Sequence, residues 1–246
     1  MKKEGWQPKT YRHWIEGKDL AAFTVTVKET DLYIRAAVNL QRKAQRLVLK
    51  YRGQIEKYIE KAPEFLTSLK PLPSPENAPR IITEMIEASQ KAGVGPMASV
   101  AGAVAEFVGK ELLEYTPEVI IENGGDIFLK ISSTRVVGIY AGESPLTGKI
   151  GLEISPQETP LGICTSSGTV GHSLSFGNAD AVVTAAPSAV LADAAATAVC
   201  NLVKKPSDIN AAIETGRNIS GLKGIVIIMG GDIGVWGDIK LCETAF

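Results

Sequence analysis

Residues 119–127 read VIIENGGDI, and residues 226–233 read VIIMGGDI. Each stretch is a β-branched run that meets two glycines and an aspartate and then resumes with isoleucine. Paired glycines accept the positive φ that a tight reversal needs, so each predicts two strands folded back on one another. Upstream of each lies a proline-led, alanine-rich segment: PMASVAGAVAEFV at 96–108 and PSAVLADAAATAV at 187–199. Proline suits the first position of a helix. Two motifs repeated in the same order predict an internal duplication with pseudo-two-fold packing, one composite core, and any ligand at the junction of the halves. The ungapped pairing of the two helices sets Gly102 opposite Asp193 and Glu106 opposite Thr197.

Working outward, residues 22–27 and 32–37 alternate as strands around a turn at Glu29-Thr30-Asp31. Residues 36–59 carry Leu40, Ala44, Leu47, Val48, Tyr51, Ile55 and Tyr58 at helical spacing. Residues 69–79 hold four prolines, which predicts a rigid connector. Residues 77–91 form a helix stopped by Gly93 and Gly95. Strands are predicted at 118–123, 127–131, 136–140, 150–154, 181–185, 225–229 and 235–241, with a Ser/Thr/Gly loop at 162–171 and a helix at 207–215 capped by Ser207. The fold class is therefore α+β, with antiparallel sheets and packed helices. One domain spans 1–246, its pseudo-repeats covering roughly 20–140 and 141–246.

Of the 246 residues 45% are hydrophobic and 22% charged, and net charge is −1. So even a balance argues against a broad footprint for nucleic acid or an anionic membrane. Cys164, Cys200 and Cys242 are odd in number and form no CxxC pair, which fits a reducing compartment and no zinc site. No apolar stretch has the length of a membrane span and no leader is visible, so the expected location is the cytoplasm. The chain is compatible with a homodimer, but no feature demands one.

Four groups of residues could carry chemistry. Asp193 and Thr197 stand four apart on one helix face and offer hard oxygen ligands suited to Mg²⁺ or Ca²⁺. The plain alternative has Asp193 complementing the dipole of its own helix. Glu122-Asn123-Gly124-Gly125-Asp126 could let backbone amides meet a ligand, or could be a simple hairpin. Residues 164–172, CTSSGTVGH, offer hydroxyls and amides to a phosphate but lack the P-loop lysine. Within them His172 is a base or a structural polar group, and Cys164 is a nucleophile only with a base beside it. Gly93-Val94-Gly95-Pro96-Met97-Ala98 lacks GxGxxG yet presents helix-entry amides to an anion.

Taken in order, these pieces resemble the ApbE-like superfamily, whose best-known members are FAD:protein FMN transferases. Asn123-Gly124-Gly125-Asp126-Ile127 is similar to that family's Asn-x-Gly-Gly-Asp turn, Thr165-Ser166 to its Thr-Ser-Gly loop, and Ala186-Pro187-Ser188 through Ala192-Asp193-Ala194 and Thr197-Ala198 to its Ala-Pro to Ala-Thr-Ala helix. The resemblance implies a T-fold-like architecture. It implies Mg²⁺ on Asp193 and Thr197, helped by a backbone carbonyl near Val100. FAD would then sit among Gly95, Met97, Glu106, Asn123, Gly124, Gly125, Asp126, Thr165, Ser166 and His172. The N-terminal third resembles a separate branch of these proteins. The transferases' Lys-Gly-aromatic triplet is replaced by Ala101-Gly102-Ala103, with Glu106 at the following acidic position. Their His-x-x-Asp-Pro segment is replaced by residues 172–177, and Ser167 is an extra residue in the Thr-Ser-Gly loop.

Three readings follow. The first is an Mg²⁺-dependent protein that transfers or hydrolyses at the FAD pyrophosphate. The second is a non-catalytic ligand-binding or scaffold module on the same fold. The third is another reaction with His172 or Glu106 as base.

Overall fold

The computed structural model describes residues 10–170 and 175–246. Its centre is an eight-stranded antiparallel sheet in the order β1-β2-β3-β4-β7-β8-β9-β10. The strands are β1 (Ala21–Val27), β2 (Thr30–Ala36), β3 (Val119–Asn123), β4 (Asp126–Lys130), β7 (Leu161–Ser166), β8 (Ala181–Ala186), β9 (Gly224–Met229) and β10 (Asp232–Gly237). A second sheet joins β5 (Arg135–Gly138), β6 (Ile150–Ile154) and β11 (Lys240–Glu243) in the order β11-β6-β5. The helices are α1 (Gln41–Lys61), α2 (Glu64–Thr67), α3 (Arg80–Ala92), α4 (Val100–Leu112), α5 (Ala189–Leu202) and α6 (Ile209–Gly216).

Strand parity sorts the side chains into two cores. Val119 and Ile121 of β3, Val182 of β8, and Ile225 and Ile227 of β9 join the core under the helices. Their neighbours Ile120, Ala181, Val183, Val226 and Ile228 join a second core against the small sheet, with Val137, Leu152 and Ile154. A central sheet covered on both faces explains why β3 and β9 are continuous apolar runs rather than alternating ones.

The order of elements is the same in both halves: two strands, helices, two strands. Strands β1 to β4 enclose α1 to α4, and β7 to β10 enclose α5 and α6. The halves meet where β4 pairs with β7, Ile127 opposite Ile163.

Several expectations change. The first turn is at Lys28 and Glu29, Lys28 taking φ 51°, while Thr30 and Asp31 already pair within β2. Because β2 runs on to Ala36, paired with Val119, α1 starts only at Gln41. Residues 161–166 are strand, not loop: β7 pairs with β4 on one side and β8 on the other, and that pairing overrides the turn-prone Ser, Thr and Gly. Residues 235–241 are two strands in different sheets, because Gly237 at φ 100° breaks the run. Ser207 does not cap α6 but lies inside a 3₁₀ turn, Pro206–Asp208, which is closed by the Asp208 carboxylate accepting from the Lys204 and Lys205 amides at 3.0 and 3.1 Å; Asp208 precedes α6 without a side-chain cap of its own. No single helix among the described residues is long and apolar enough to cross a membrane.

Candidate functional site

The two proline-led segments pack side by side. A 3₁₀ turn, Pro96–Ser99, feeds α4, and the proline before α5 is followed by the N-cap Ser188. Glycines allow the approach. A Cβ on Gly102 would lie 2.3 Å from the Ala189 carbonyl oxygen, and one on Gly162 of β7 would lie 2.3 Å from the Ala189 Cα. Ala189 is therefore seated between a helix and a strand with no side chain on either.

At this contact Asp193 reaches out of α5, 8% exposed, and its Oδ2 accepts from the Gly102 amide at 2.8 Å. The Ala101 amide also stabilises the carboxylate. These are first-turn N–H groups of α4 that have no partner within their own helix. Asp193 therefore complements the dipole of the neighbouring helix, not of its own. Burial still pushes its carboxyl up to about 7, against the pull of those two amides.

The β3–β4 turn arrives at the same place. Gly124 and Gly125 take φ 69° and 106°, as a two-residue reversal requires. Glu122 accepts from the Gly125 amide at 2.8 Å, and Asn123 donates to the Ala101 carbonyl at 3.0 Å, which ties the turn to α4. Asp126 leaves the turn 7% exposed, its Oδ1 accepting from the Thr165 amide of β7 at 3.2 Å. Its carboxyl is raised well above the ordinary carboxylate range, by burial first and then by Asp193. Two buried carboxylates thus repel each other across one junction.

Thr197 is half-buried one turn beyond Asp193, and its hydroxyl makes no hydrogen bond among the described residues. Among the described residues, the buried Ser166 hydroxyl at the end of β7 has only the weakly bonding Cys200 thiol beside it. Asp193, Asn123, Asp126, Thr165 and the first turn of α4 are joined by these contacts, Thr197 stands one turn along α5 from Asp193, and Gly124 faces open space, where a Cβ would meet nothing within 4 Å.

Other candidates have other duties. Gly95 lacks a side chain because Ser68 is there: a Cβ would fall 1.8 Å from its carbonyl oxygen. Met97 packs on the helix-side core. Glu106 is 1% exposed, and its carboxylate accepts from the Ser188 hydroxyl (2.9 Å) and the Val190 amide (3.1 Å) and pairs with Lys110 (2.5 Å), so in this structure it is tied to the start of α5. Cys164 is fully buried, points its thiol at the Ala189 carbonyl, and is held well above the ordinary thiol range by burial and by Asp126 and Asp193, which removes it as a nucleophile. His172 lies outside the described residues. The Gly230-Gly231 turn is at the same end of the sheet but is held by Asp180 and Ser144, which bond the Gly230 amide (2.7 Å) and carbonyl (2.6 Å).

Sequence reasoning missed the capping amides of Ala101 and Gly102 and the role of Ser188. The pairing of Gly102 with Asp193 in the repeat was the signal for the first. No spacing rule signals the second, because Ser188 is 82 residues from the side chain it binds.

Comparison with known proteins agrees with this fold. A family model described as AbpE bacteria matches residues 12–235. A UPF0280 protein of Methanococcus aeolicus is 44% identical over 224 residues, covering 87% of this chain and 89% of the relative, and one of Methanocaldococcus jannaschii is 42% identical over 227 residues, covering 89% and 92%. Among solved structures, the flavinyl transferase ApbE of Pseudomonas stutzeri, apo form, superposes with TM-score 0.59 at 13% identity, over 89% of this chain and 94% of its own. The flavin transferase ApbE of Vibrio cholerae superposes with TM-score 0.55 at 11% identity, over 92% and 97%. At such identities the superpositions speak for the fold alone. The family match and the curated relatives decide membership: the chain belongs to the AbpE bacterial family, within the ApbE-like superfamily.

Proposed function

We propose that this protein binds a flavin nucleotide, FAD, through Mg²⁺ held at the α4–α5 junction. The observation that carries the reading is the pair of buried carboxylates, Asp126 and Asp193, each raised by desolvation with Asp193 further raising Asp126. A cation between them would relieve both costs. The donors suit a hard ion: carboxylate oxygens of Asp126 and Asp193 and the unengaged Thr197 hydroxyl, with water completing the shell. Among the described residues no three His, Cys, Asp or Glu side chains converge as a closed metal cage. Mg²⁺ is ordinarily held by one or two carboxylates together with substrate phosphates. The flavin part of the proposal comes from the structural neighbours, which are flavin transferases.

Bound Mg²⁺ would neutralise pyrophosphate charge. The chain's own residues would do the rest. Asn123 holds the turn against α4, and the open side of Gly124 leaves room for a ligand to approach the backbone. Asp126 and the Thr165 amide keep β4 and β7 in register beneath it.

A second reading, binding without turnover, is favoured by a specific observation. Ala101 and Ala103 stand where the transferases carry a lysine and an aromatic residue. Glu106 and Cys164, the described groups nearest to a base and a nucleophile, are both buried and engaged. The test is calorimetric titration of FAD with and without Mg²⁺ into wild type and Asp193→Ala, with chromatography for released FMN. Mg²⁺-dependent binding that is lost in Asp193→Ala supports the site. FMN release then selects turnover over binding alone. No Mg²⁺-dependent binding in wild type would sink the proposal.

A further inference from the structure

Two antiparallel helices here cap each other. The N-terminus of α4 ends on a carboxylate of α5, Asp193, through the Gly102 amide at 2.8 Å and the Ala101 amide. The N-terminus of α5 ends on a carboxylate of α4, Glu106, through the Val190 amide at 3.1 Å and the Ser188 hydroxyl at 2.9 Å. Glu106 lies one turn beyond Gly102 in α4, and Val190 one turn before Asp193 in α5. The two bonds are therefore neighbouring rungs of one ladder, one turn apart. Each carboxylate also sits at the positive end of the other helix, so both rungs are charge-assisted. Between them, Gly102 rides directly against Ala189, so the helices cannot slide without a clash.

We infer that Glu106 is a positioning residue for the Asp193 site. It fixes the height of α5 against α4, and so decides that Asp193 meets the Gly102 and Ala101 amides at the junction it shares with Asp126. Glu106 itself does not touch the ligand. It also fills the N-terminus of α5, so that helix end is not available to an external phosphate. The inference rests on the proposed cation site for its consequence, but not for its geometry.

The test combines Mg²⁺ titration with amide exchange of Gly102 and Val190, followed by NMR on the full-length protein. Three variants are used: Glu106→Ala, Glu106→Gln and Ser188→Ala. Glu106→Ala removes the rung, and we expect Mg²⁺ affinity to fall about 10- to 100-fold, the range for residues that orient a metal ligand. The Gly102 amide, one turn away and on the other helix, should lose its protection together with Val190. Glutamine keeps an acceptor oxygen, so Glu106→Gln should return affinity to within about threefold of wild type. A local cap with no positioning role would expose Val190 and leave both Gly102 and the Mg²⁺ affinity unchanged; that result overturns the inference. If Glu106→Ala does not fold, Ser188→Ala decides, because it removes one partner and leaves the charge: faster Gly102 exchange supports the inference, and unchanged exchange refutes it. Should wild type bind no Mg²⁺, the proposed cation site fails, while Gly102 exchange in the variants still decides whether Glu106 sets the register.

Discussion

At the residue scale, Asp193 carries two jobs whose demands conflict. As a cap for α4 it is best ionised, yet burial opposes the charge and lifts its carboxyl to about 7. An unfolded aspartate titrates near ~3.9. The folded state thus holds the proton over a range where the unfolded state has lost it, and stability linked to this group falls as pH rises from about 4 to about 7. Mg²⁺ competes with that proton. The expected outcome is a Mg²⁺-induced rise in Tm that is small near about pH 5 and full near about pH 8, measured by thermal denaturation. Asp193→Asn should abolish the rise and flatten the slope. A Mg²⁺ effect that does not depend on pH would separate the cation from this carboxyl. Tyr51 is a contrasting case. Its phenol donates to Glu111 and is pushed up to about 12, chiefly by burial. Stability linked to this group should fall between about pH 10 and 12 as the unfolded state ionises first. In Tyr51→Phe that part of the alkaline slope, followed by circular dichroism, should disappear.

At the element scale, glycines that look alike in sequence do different work. Gly124 needs positive φ but faces open space, while Gly102 is an ordinary helical residue pressed against α5. Gly124→Asn should be nearly neutral, within about 0.5 kcal/mol, because asparagine tolerates the left-handed region in this turn. Gly102→Ala adds a methyl where no space exists. Despite alanine's better helix propensity, it should cost about 1–3 kcal/mol. Urea denaturation of both variants checks the contrast, and a stabilised Gly102→Ala would contradict the helix contact. The repeat in the sequence marked Gly102 and Asp193 as equivalent positions. The fold makes them hydrogen-bond partners.

At the scale of the whole molecule, one sheet serves two cores. Phe128 of β4 is fully buried toward the helices, where a Cβ on Gly109 would lie 2.3 Å from its ring, and Leu152 of β6 is 1% exposed on the other side. Phe128→Ala should cost about 3–5 kcal/mol and Leu152→Ala about 2–5 kcal/mol. Because both cores share the central strands, each loss should shift the same single denaturation transition. A separate early transition in Leu152→Ala would mean that the small sheet unfolds by itself.

What could be read along the chain was what depends on near neighbours. The β-branched runs at 118–123 and 225–229, the glycine pair at 124–125, the alanine-rich helices and the carboxylate-hydroxyl pair at Asp193 and Thr197 are all short-range patterns. What could not be read depends on which segment lies alongside which. The stretch 161–166 has the composition of a loop, and only pairing with β4 and β8 makes it a strand. Residues 235–241 look like one strand until Gly237 sends its two parts to different sheets. Glu106 resembled a base or a ligand group, and only the start of α5, brought to it across 82 residues, makes it a cap. Local propensity is a property of the sequence, but the partner of a buried charge is set by packing, because a carboxylate out of water must take whichever donors the fold brings to it.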